Sequence, residues 1–462
     1  MQKKSLIEAE QETVFKEQEQ YNILPPHAPY TIFQKDILRR HILKIPSETI
    51  YDLEEGWEEK SVGGTGIINL PARIDKVEYE KIFSISVEKE SLYYLQLETT
   101  GSSFEVRLNH QLIGIGNGTQ RVYEIPITVL LKEKENRVSI QFEEKENILF
   151  LGAKLLKRPQ NHIFDYQISM KFQKEKIYME IQAIYSGSII PTKCLIISPK
   201  GKNVKKENLD ENGKVSLEIR RKDVTLWNDE THLLYSLVFI TAEEVIAEKM
   251  PIENVWFEDG CYYMDSTAIP LRMLNLKSEI SGSLDALLKE ELIEKMKMWK
   301  KRNFNAVYVE ESMDSIYLKK MCSEFGFYYI RSFDGFSMNY RKELLLTEDG
   351  KWERMPRVYL PLKVWAIENN SGVLAMKSEM LFQNLKDVYY IRVGVYQNGK
   401  RIGQKLKYIL DFEPGVIETF RPEWVSQLEG EIVIKIEFYQ RFKTDLIEKQ
   451  YYYGSMKVNI HK

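Results

Sequence analysis

Histidine and cysteine are scarce in this chain, and what they exclude comes first. Six histidines are spread over 462 residues. His27, His41 and His162 stand far apart with no metal-ligand spacing, so no metal or other cofactor is expected. Cys194, Cys261 and Cys322 are the three cysteines. They form no CxxC pair, which argues against a disulfide framework or a zinc site and for buried thiols in a reducing compartment. No apolar run is long enough to span a bilayer. The opening MQKKSLIEAEQETVFKEQEQ lacks the apolar stretch of a signal peptide, so a cytoplasmic location is the expectation. Charge of one sign is also missing. Lys and Arg number 65 against 68 Asp and Glu, a net charge of −3. The even balance gives no reason to expect a nucleic-acid or membrane partner.

What the chain does have is period-two alternation interrupted by one βαβ stretch. A length of 462 residues allows three or four domains. From Lys81, the runs IFSISV, SLYYLQLETT, SFEVRLN, QLIGIG and RVSIQFEE read as short strands of a β-sandwich or jelly roll. A second set of strands runs from His162 to about Glu248. Between Ile269 and Ser332 the pattern changes to strand–helix–strand–helix–strand, the mark of βαβ units on a parallel sheet. The spacing predicts a helix over Leu284–Arg302, capped by Ser283 and packed through Leu287, Leu292, Met296 and Trp299. Asn303 and Phe304 turn the chain into a strand over Asn305–Val309. A second helix over Asp314–Phe325 stops at Gly326. Residues 342–357 read as a polar linker, and from Val358 the chain alternates again. Asn398-Gly399 predicts a two-residue hairpin turn. Trp57, Trp227, Trp256, Trp299 and Trp365 are expected in cores rather than on sugar-stacking surfaces.

The run WKKRNFNAVYVEES followed by MCSEFGFYYI resembles the MKxxNFNAVRxSHYP…LCDEYGLYV run that opens the barrel of family 2 glycoside hydrolases, the large β-galactosidases. Further matches lie along the chain in family order. Tyr21–Tyr30 resembles the NRLPxH entry segment, and Thr99–Gly114 resembles a run containing VWVNG. Phe164-Asp165-Tyr166 is similar to IxDFxV. Leu226–Tyr235 is similar to LWSxExPxLYxL, with His232 at the family proline. Phe382–Lys400 resembles a segment of the domain after the barrel. The resemblance implies a mostly β, multidomain chain. Residues 1–160 would form a jelly-roll sugar-binding domain with an N-terminal arm and 161–250 an immunoglobulin-like β-sandwich. Residues 251–341 would form a truncated barrel fragment and 342–462 a C-terminal immunoglobulin-like sandwich. A closed (β/α)8 barrel takes roughly 250 residues, far more than this stretch provides.

The same resemblance bears on chemistry. A retaining glycosidase needs two carboxyl groups about 5–5.5 Å apart, and no match to the family's GNE or EYxHxMGN motifs exists in this sequence. Glu310 and Glu311 fall where a barrel strand should end and are the candidate residual acid or base. Adjacent strand residues point to opposite sides, so the pair cannot face one substrate. A solvated strand end before a helix is the alternative. Asn109 matches the Asn of VWVNG, which the resemblance makes a sugar contact; a plain turn asparagine is the alternative. Asn275 is the surviving Asn of the first-strand motif GVNRHE. His110, in place of the family Gly, is expected to alter the turn. The implied role is non-catalytic carbohydrate binding, weak and galactose-directed, or assembly as a homo-oligomer or with a complementary β-galactosidase-like subunit. A divergent active glycosidase and a decayed gene product stay open as alternatives.

Overall fold

In the computed structural model, the described residues are 50–60, 66–74, 78–100, 102–116, 122–143, 148–243, 245–258, 260–276, 289–309, 316–331, 343–346, 352–354, 360–367, 372–423, 425–444 and 446–461. The expected N-terminal arm, with His27 and His41, lies outside them, as does the Ser283 cap. Among the described residues no helix is long and apolar enough to cross a membrane.

Two antiparallel sheets share one core between residues 50 and 159. Alternate residues of their strands point inward: Leu95 and Leu97 from one sheet, Val106, Leu108, Val138 and Ile140 from the other. Aromatic rings fill the space between. Trp57 meets Phe150 edge-on at 4.9 Å, and Phe104 meets Tyr123 edge-on at 4.8 Å. β1 (Phe104–Leu108) and β2 (Gln111–Gly116) form a hairpin at the edge of the six-stranded sheet. The Phe104 ring lies against the Cα of Gly116, and a Cβ there would stand inside contact distance of three of its carbons. Phe104 is buried between Tyr123 and Phe142 and has nowhere to go. Gly116→Ala is therefore expected to destabilise the chain by about 1–3 kcal/mol, the usual cost of overpacking. A urea-unfolding midpoint equal to the parent's would show that the ring can move.

Residues 162–250 form a three-stranded and a four-stranded antiparallel sheet around a second core. Trp227 is 1% exposed, as expected, but its role extends beyond that sandwich. Its indole Nε1 donates to the Ser323 carbonyl at 2.9 Å, and its ring meets Tyr328 edge-on at 5.2 Å. It fastens the sandwich to the α/β part.

That part holds β3 (Leu271–Asn275), α1 (Lys289–Lys301), β4 (Ala306–Val309), α2 (Ile316–Phe325) and β5 (Tyr328–Arg331). β3, β4 and β5 pair in parallel. Asn303 (φ 65°) and Gly326 (φ 75°) end the two helices in the left-handed region, where Asn and Gly cost least. On one face of the sheet Leu274, Val307 and Val309 pack on Leu292, Met296 and Trp299 of α1 and Leu318 and Cys322 of α2. On the other face Leu271, Met273, Ala306, Tyr308, Tyr328 and Ile330 merge with the core of the preceding sandwich. Both faces are thus covered by this chain, as parallel strands require.

The polar linker expected over 342–357 is corrected here. β6 (Glu343–Leu346) pairs antiparallel with β3, and β7 (Trp352–Arg354) pairs antiparallel with β6, giving the order β5-β4-β3-β6-β7. The free edge of β3 recruits the nearest strand-competent segment, which leaves fewer unpaired backbone groups.

The C-terminal unit has a three-stranded sheet and the four-stranded sheet β9-β8-β10-β11: β8 (Tyr389–Gln397), β9 (Lys400–Tyr408), β10 (Glu431–Gln440) and β11 (Tyr452–His461). Asn398 and Gly399, at φ 50° and 75°, make the two-residue turn that their sequence predicts. Of the five tryptophans expected in cores, Trp57, Trp227 and Trp299 are buried. Trp256 is half-buried and stacked on Tyr263, and Trp365 is 42% exposed, so the core expectation fails for Trp365. All three cysteines are buried free thiols.

Candidate functional site

Parallel α/β sheets carry their chemistry at the C-terminal ends of the strands. Asn275 closes β3 there, 4% exposed and level with Tyr308 of β4. Glu310 and Glu311 lie outside the described residues, as do residues 277–288 and 332–342 that follow β3 and β5. The described strand residues, LRMLN, AVYV and YYIR, include no carboxylate.

Asn109 sits at the β1–β2 turn with φ 51°, followed by His110 at φ 72°. Both residues lie in the left-handed region between the paired Leu108 and Gln111. His110 therefore keeps the two-residue hairpin turn instead of altering it. The Asn109 Nδ2 donates to the Leu130 carbonyl at 2.9 Å and to Asn136 Oδ1 at 3.1 Å. Its Oδ1 accepts from the Arg137 amide at 3.0 Å. Both amide hydrogens are committed to pinning the turn to the neighbouring strand and loop.

A cavity of about 120 Å³ opens at the other end of the sheet, where three units meet. Asp229 and Glu230 come from the second sandwich, Arg272 and Lys300 from the α/β part, and Tyr389 and Tyr453 from the C-terminal unit. Arg272 Nη2 donates to Asp229 Oδ2 at 3.2 Å and its Nε to the Asn303 carbonyl at 2.6 Å. Lys300 Nζ donates to the carbonyls of Asp229 (2.8 Å) and Gly326 (2.7 Å). The Tyr328 hydroxyl donates to Asp229 Oδ1 at 3.1 Å. Glu230 reaches into the C-terminal unit. Its Oε1 accepts from the Leu381 amide at 2.7 Å and its Oε2 from those of Phe382 (3.0 Å) and Gln383 (2.9 Å). Burial and the neighbouring Asp229 carboxylate raise the Glu230 carboxyl to about 7, against the pull of the amides. Burial lowers the Lys300 ammonium to about 8. Charges here are spent on backbone groups and on one another, at the strand end associated with stability rather than catalysis.

None of Asp229, Glu230, Arg272 and Lys300 was singled out from sequence. Asp229 and Glu230 sit in the LWNDE motif, and that was the available signal. Nothing local marks them as buried, because the three units that bury them are distant in sequence.

No protein-family model matches the chain. The β-galactosidase of Actinobacillus pleuropneumoniae is 23% identical over 261 residues, 53% of this chain and 26% of that relative. That of Staphylococcus xylosus is 21% identical over 330 residues, 64% of this chain and 33% of the relative. The β-glucuronidase of Ruminococcus gnavus overlays with a TM-score of 0.51 at 14% identity, over 61% of this chain and 57% of its own.

In sequence the chain is β-galactosidase-like.

This β-galactosidase-like chain spans about a third or less of the two curated relatives it matches. The β-glucuronidase of Dictyoglomus thermophilum, with a TM-score of 0.51 at 16% identity, covers 62% of the chain. At that identity the overlay speaks to the mostly β, multisheet fold.

Proposed function

We propose that this β-galactosidase-like chain is a non-hydrolytic protein of carbohydrate metabolism, a jelly-roll and immunoglobulin-like scaffold around a barrel fragment. The observation that carries the proposal is the edge of β3. In a closed (β/α)8 barrel every strand has a parallel neighbour on both sides. Here β3 has parallel β4 on one side and antiparallel β6 on the other. A hairpin of the same chain occupies the place where a closing strand would pair. In the family that the chain resembles, the catalytic glutamates lie on later barrel strands, and β3, β4 and β5 supply no carboxylate among their described residues.

The same edge weighs against a complementary subunit that would rebuild the barrel, because such a subunit would first have to displace β6 and β7. Both sheet faces are covered by this chain, while the outer edge of β5 has no neighbour among the described strands. Any sugar affinity is expected to be weak. Asn109 serves its turn in this reading, and a cavity of about 120 Å³ lined by internally paired charges leaves few groups for a ligand.

The expected result is no turnover of nitrophenyl β-galactoside or β-glucuronide above buffer, with the chain alone or mixed with its neighbouring gene products. Groups that act as a unit take nearly all the rate with them when lost. Turnover that Glu310→Gln or Glu311→Gln abolishes would establish the divergent-glycosidase alternative instead.

A further inference from the structure

The outer face of the four-stranded sheet in the C-terminal unit is built unlike any other surface described above. Inward residues Ile391, Val393, Val395, Ile434, Ile436 and Phe438 form the core of that unit. The alternate residues lie on the outer face, with Tyr390 and Glu437 covered by their neighbours, and the strand register sets them in rows. Tyr390 pairs with Tyr439, which pairs with Tyr452. In the next row Lys407 pairs with Arg392 and Arg392 with Glu437. Lys435 pairs with Lys457, and Arg401 with Tyr396. Lys405 completes the set, its Nζ 2.6 Å from Glu437 Oε1, which Lys435 also contacts at 3.0 Å. Six cationic side chains thus share this face with Glu437, the one carboxylate at the described positions opposite Tyr390 to Tyr396. The chain as a whole carries a net charge of −3, so the patch runs against the charge of its own protein.

The tyrosines hold the cations in place. The Arg392 guanidinium lies 5.0 Å from the Tyr439 ring centre and 5.9 Å from that of Tyr390. Lys407 Nζ stands 4.2 Å from the Tyr390 ring centre. Tyr390 and Tyr439 are stacked at 5.2 Å with their planes 10° apart. Rings stacked under two cations fix those charges before any ligand arrives, and preorganisation lowers the entropy lost on binding. Arg392, Lys407 and Lys457 are exposed, and among the described residues the ion pairs of Glu437 go to Lys405 and Lys435 instead. Tyr452, 45% exposed at the end of the row, offers one open aromatic face.

We propose that this face binds an acidic polysaccharide. Its uronate or sulfate groups would meet Arg392, Lys407 and Lys457, and one sugar ring would lie on Tyr452. The charge of the patch selects a polyanion. The aromatic row distinguishes among polyanions. Sheets that read single-stranded nucleic acid present two or three open rings for base stacking, whereas Tyr390 is 3% exposed and lies under Lys407. This inference does not rest on the non-hydrolytic reading, since it concerns a different unit and needs no catalytic group.

The test uses the full chain with four probes: heparin, polygalacturonate, a neutral galactan and single-stranded poly(U). Heparin, polygalacturonate or both should be retained at low salt and released as ionic strength rises, with the galactan not retained. Binding of heparin alone assigns sulfate groups, and binding of polygalacturonate shows that carboxylates suffice. Arg392→Gln combined with Lys407→Gln should weaken binding about tenfold or more without moving the thermal unfolding midpoint. Lys457→Gln alone should weaken it less. Failure of both acidic polysaccharides to bind would overturn the proposal. So would unchanged affinity in the double variant, or tighter binding of poly(U) than of either polysaccharide.

Discussion

Glu230→Ala is expected to cost about 3 kcal/mol or more of stability, because it strips the acceptor from three backbone amides at once. Those amides belong to Leu381, Phe382 and Gln383. Leu381 and Phe382 also pack against the core shared by the second sandwich and the α/β sheet. The carboxylate therefore holds a tertiary joint and not a local turn. Loss of the joint should split thermal unfolding into two transitions, the first reporting the C-terminal unit. Glu230→Gln keeps the shape and one acceptor but turns an amide group toward the backbone donors, so it should fall between the parent and Glu230→Ala.

The pH dependence has a definite sign. Burial and Asp229 raise the folded-state value of Glu230 from 4.5 to about 7. The folded chain keeps a proton there that the unfolded chain has released. This contribution is complete below pH 4.5, shrinks as pH rises and is lost above about 7. Lys300 runs the other way in a higher window. Its value is lowered from 10.5 to about 8, so it penalises folding below pH 8 and the penalty fades as pH rises toward 10.5. Asp165, raised by burial to about 6, adds to the Glu230 slope, and His162, lowered by burial and Arg158 to about 4, opposes it. The difference between the parent and Glu230→Gln isolates one group. Unfolding free energies of the two measured from pH 4.5 to 8 should converge as pH rises. Parallel curves would show that Glu230 stays ionised throughout.

Much of the scaffold was legible because burial on one side of a strand writes period two into the sequence, and helices packed on a parallel sheet write a longer period. Leu292, Met296 and Trp299 came out of that pattern and are buried at 1% or less. The β6–β7 hairpin was not read. Leu344, Leu345 and Leu346 followed by Asp349-Gly350 carry the signal of a short strand and turn, but the polar residues around them looked like a linker. What decides the matter is the open edge of β3, which is a property of the sheet. Asp229 and Glu230 were not singled out because charged residues usually lie on the surface; here three units distant in sequence bury them. The basic face was hidden for the opposite reason. Lys405, Lys407, Lys435 and Lys457 look like ordinary solvent-facing strand residues one strand at a time, and only the register gathers them.

Arg158→Met is expected to cost about 3–5 kcal/mol, because removing one partner of a buried ion pair strands the other. Arg158 Nη2 donates to Glu124 Oε2 at 2.9 Å, and both side chains are 0% exposed. Gln96 Nε2 donates to the other carboxylate oxygen at 2.8 Å. The guanidinium also lies 4.9 Å from the Tyr94 ring centre, and that ring meets His162 edge-on at the start of the second sandwich. Methionine replaces the aliphatic stem and removes the guanidinium, while the carboxylate keeps Gln96 as a donor. Burial already raises the Glu124 carboxyl while Arg158 holds it down. Without the guanidinium it should take up a proton instead of staying charged, so the loss should be smaller at pH 5 than at pH 8. Arg158→Met combined with Glu124→Leu removes both charges and should recover most of the stability, since a well-packed apolar pair often matches a buried ionic one. A double-mutant cycle by urea unfolding at pH 8 reads the coupling directly. If the double variant is as unstable as Arg158→Met alone, the cost lies in the lost contact with Tyr94 and not in the stranded charge.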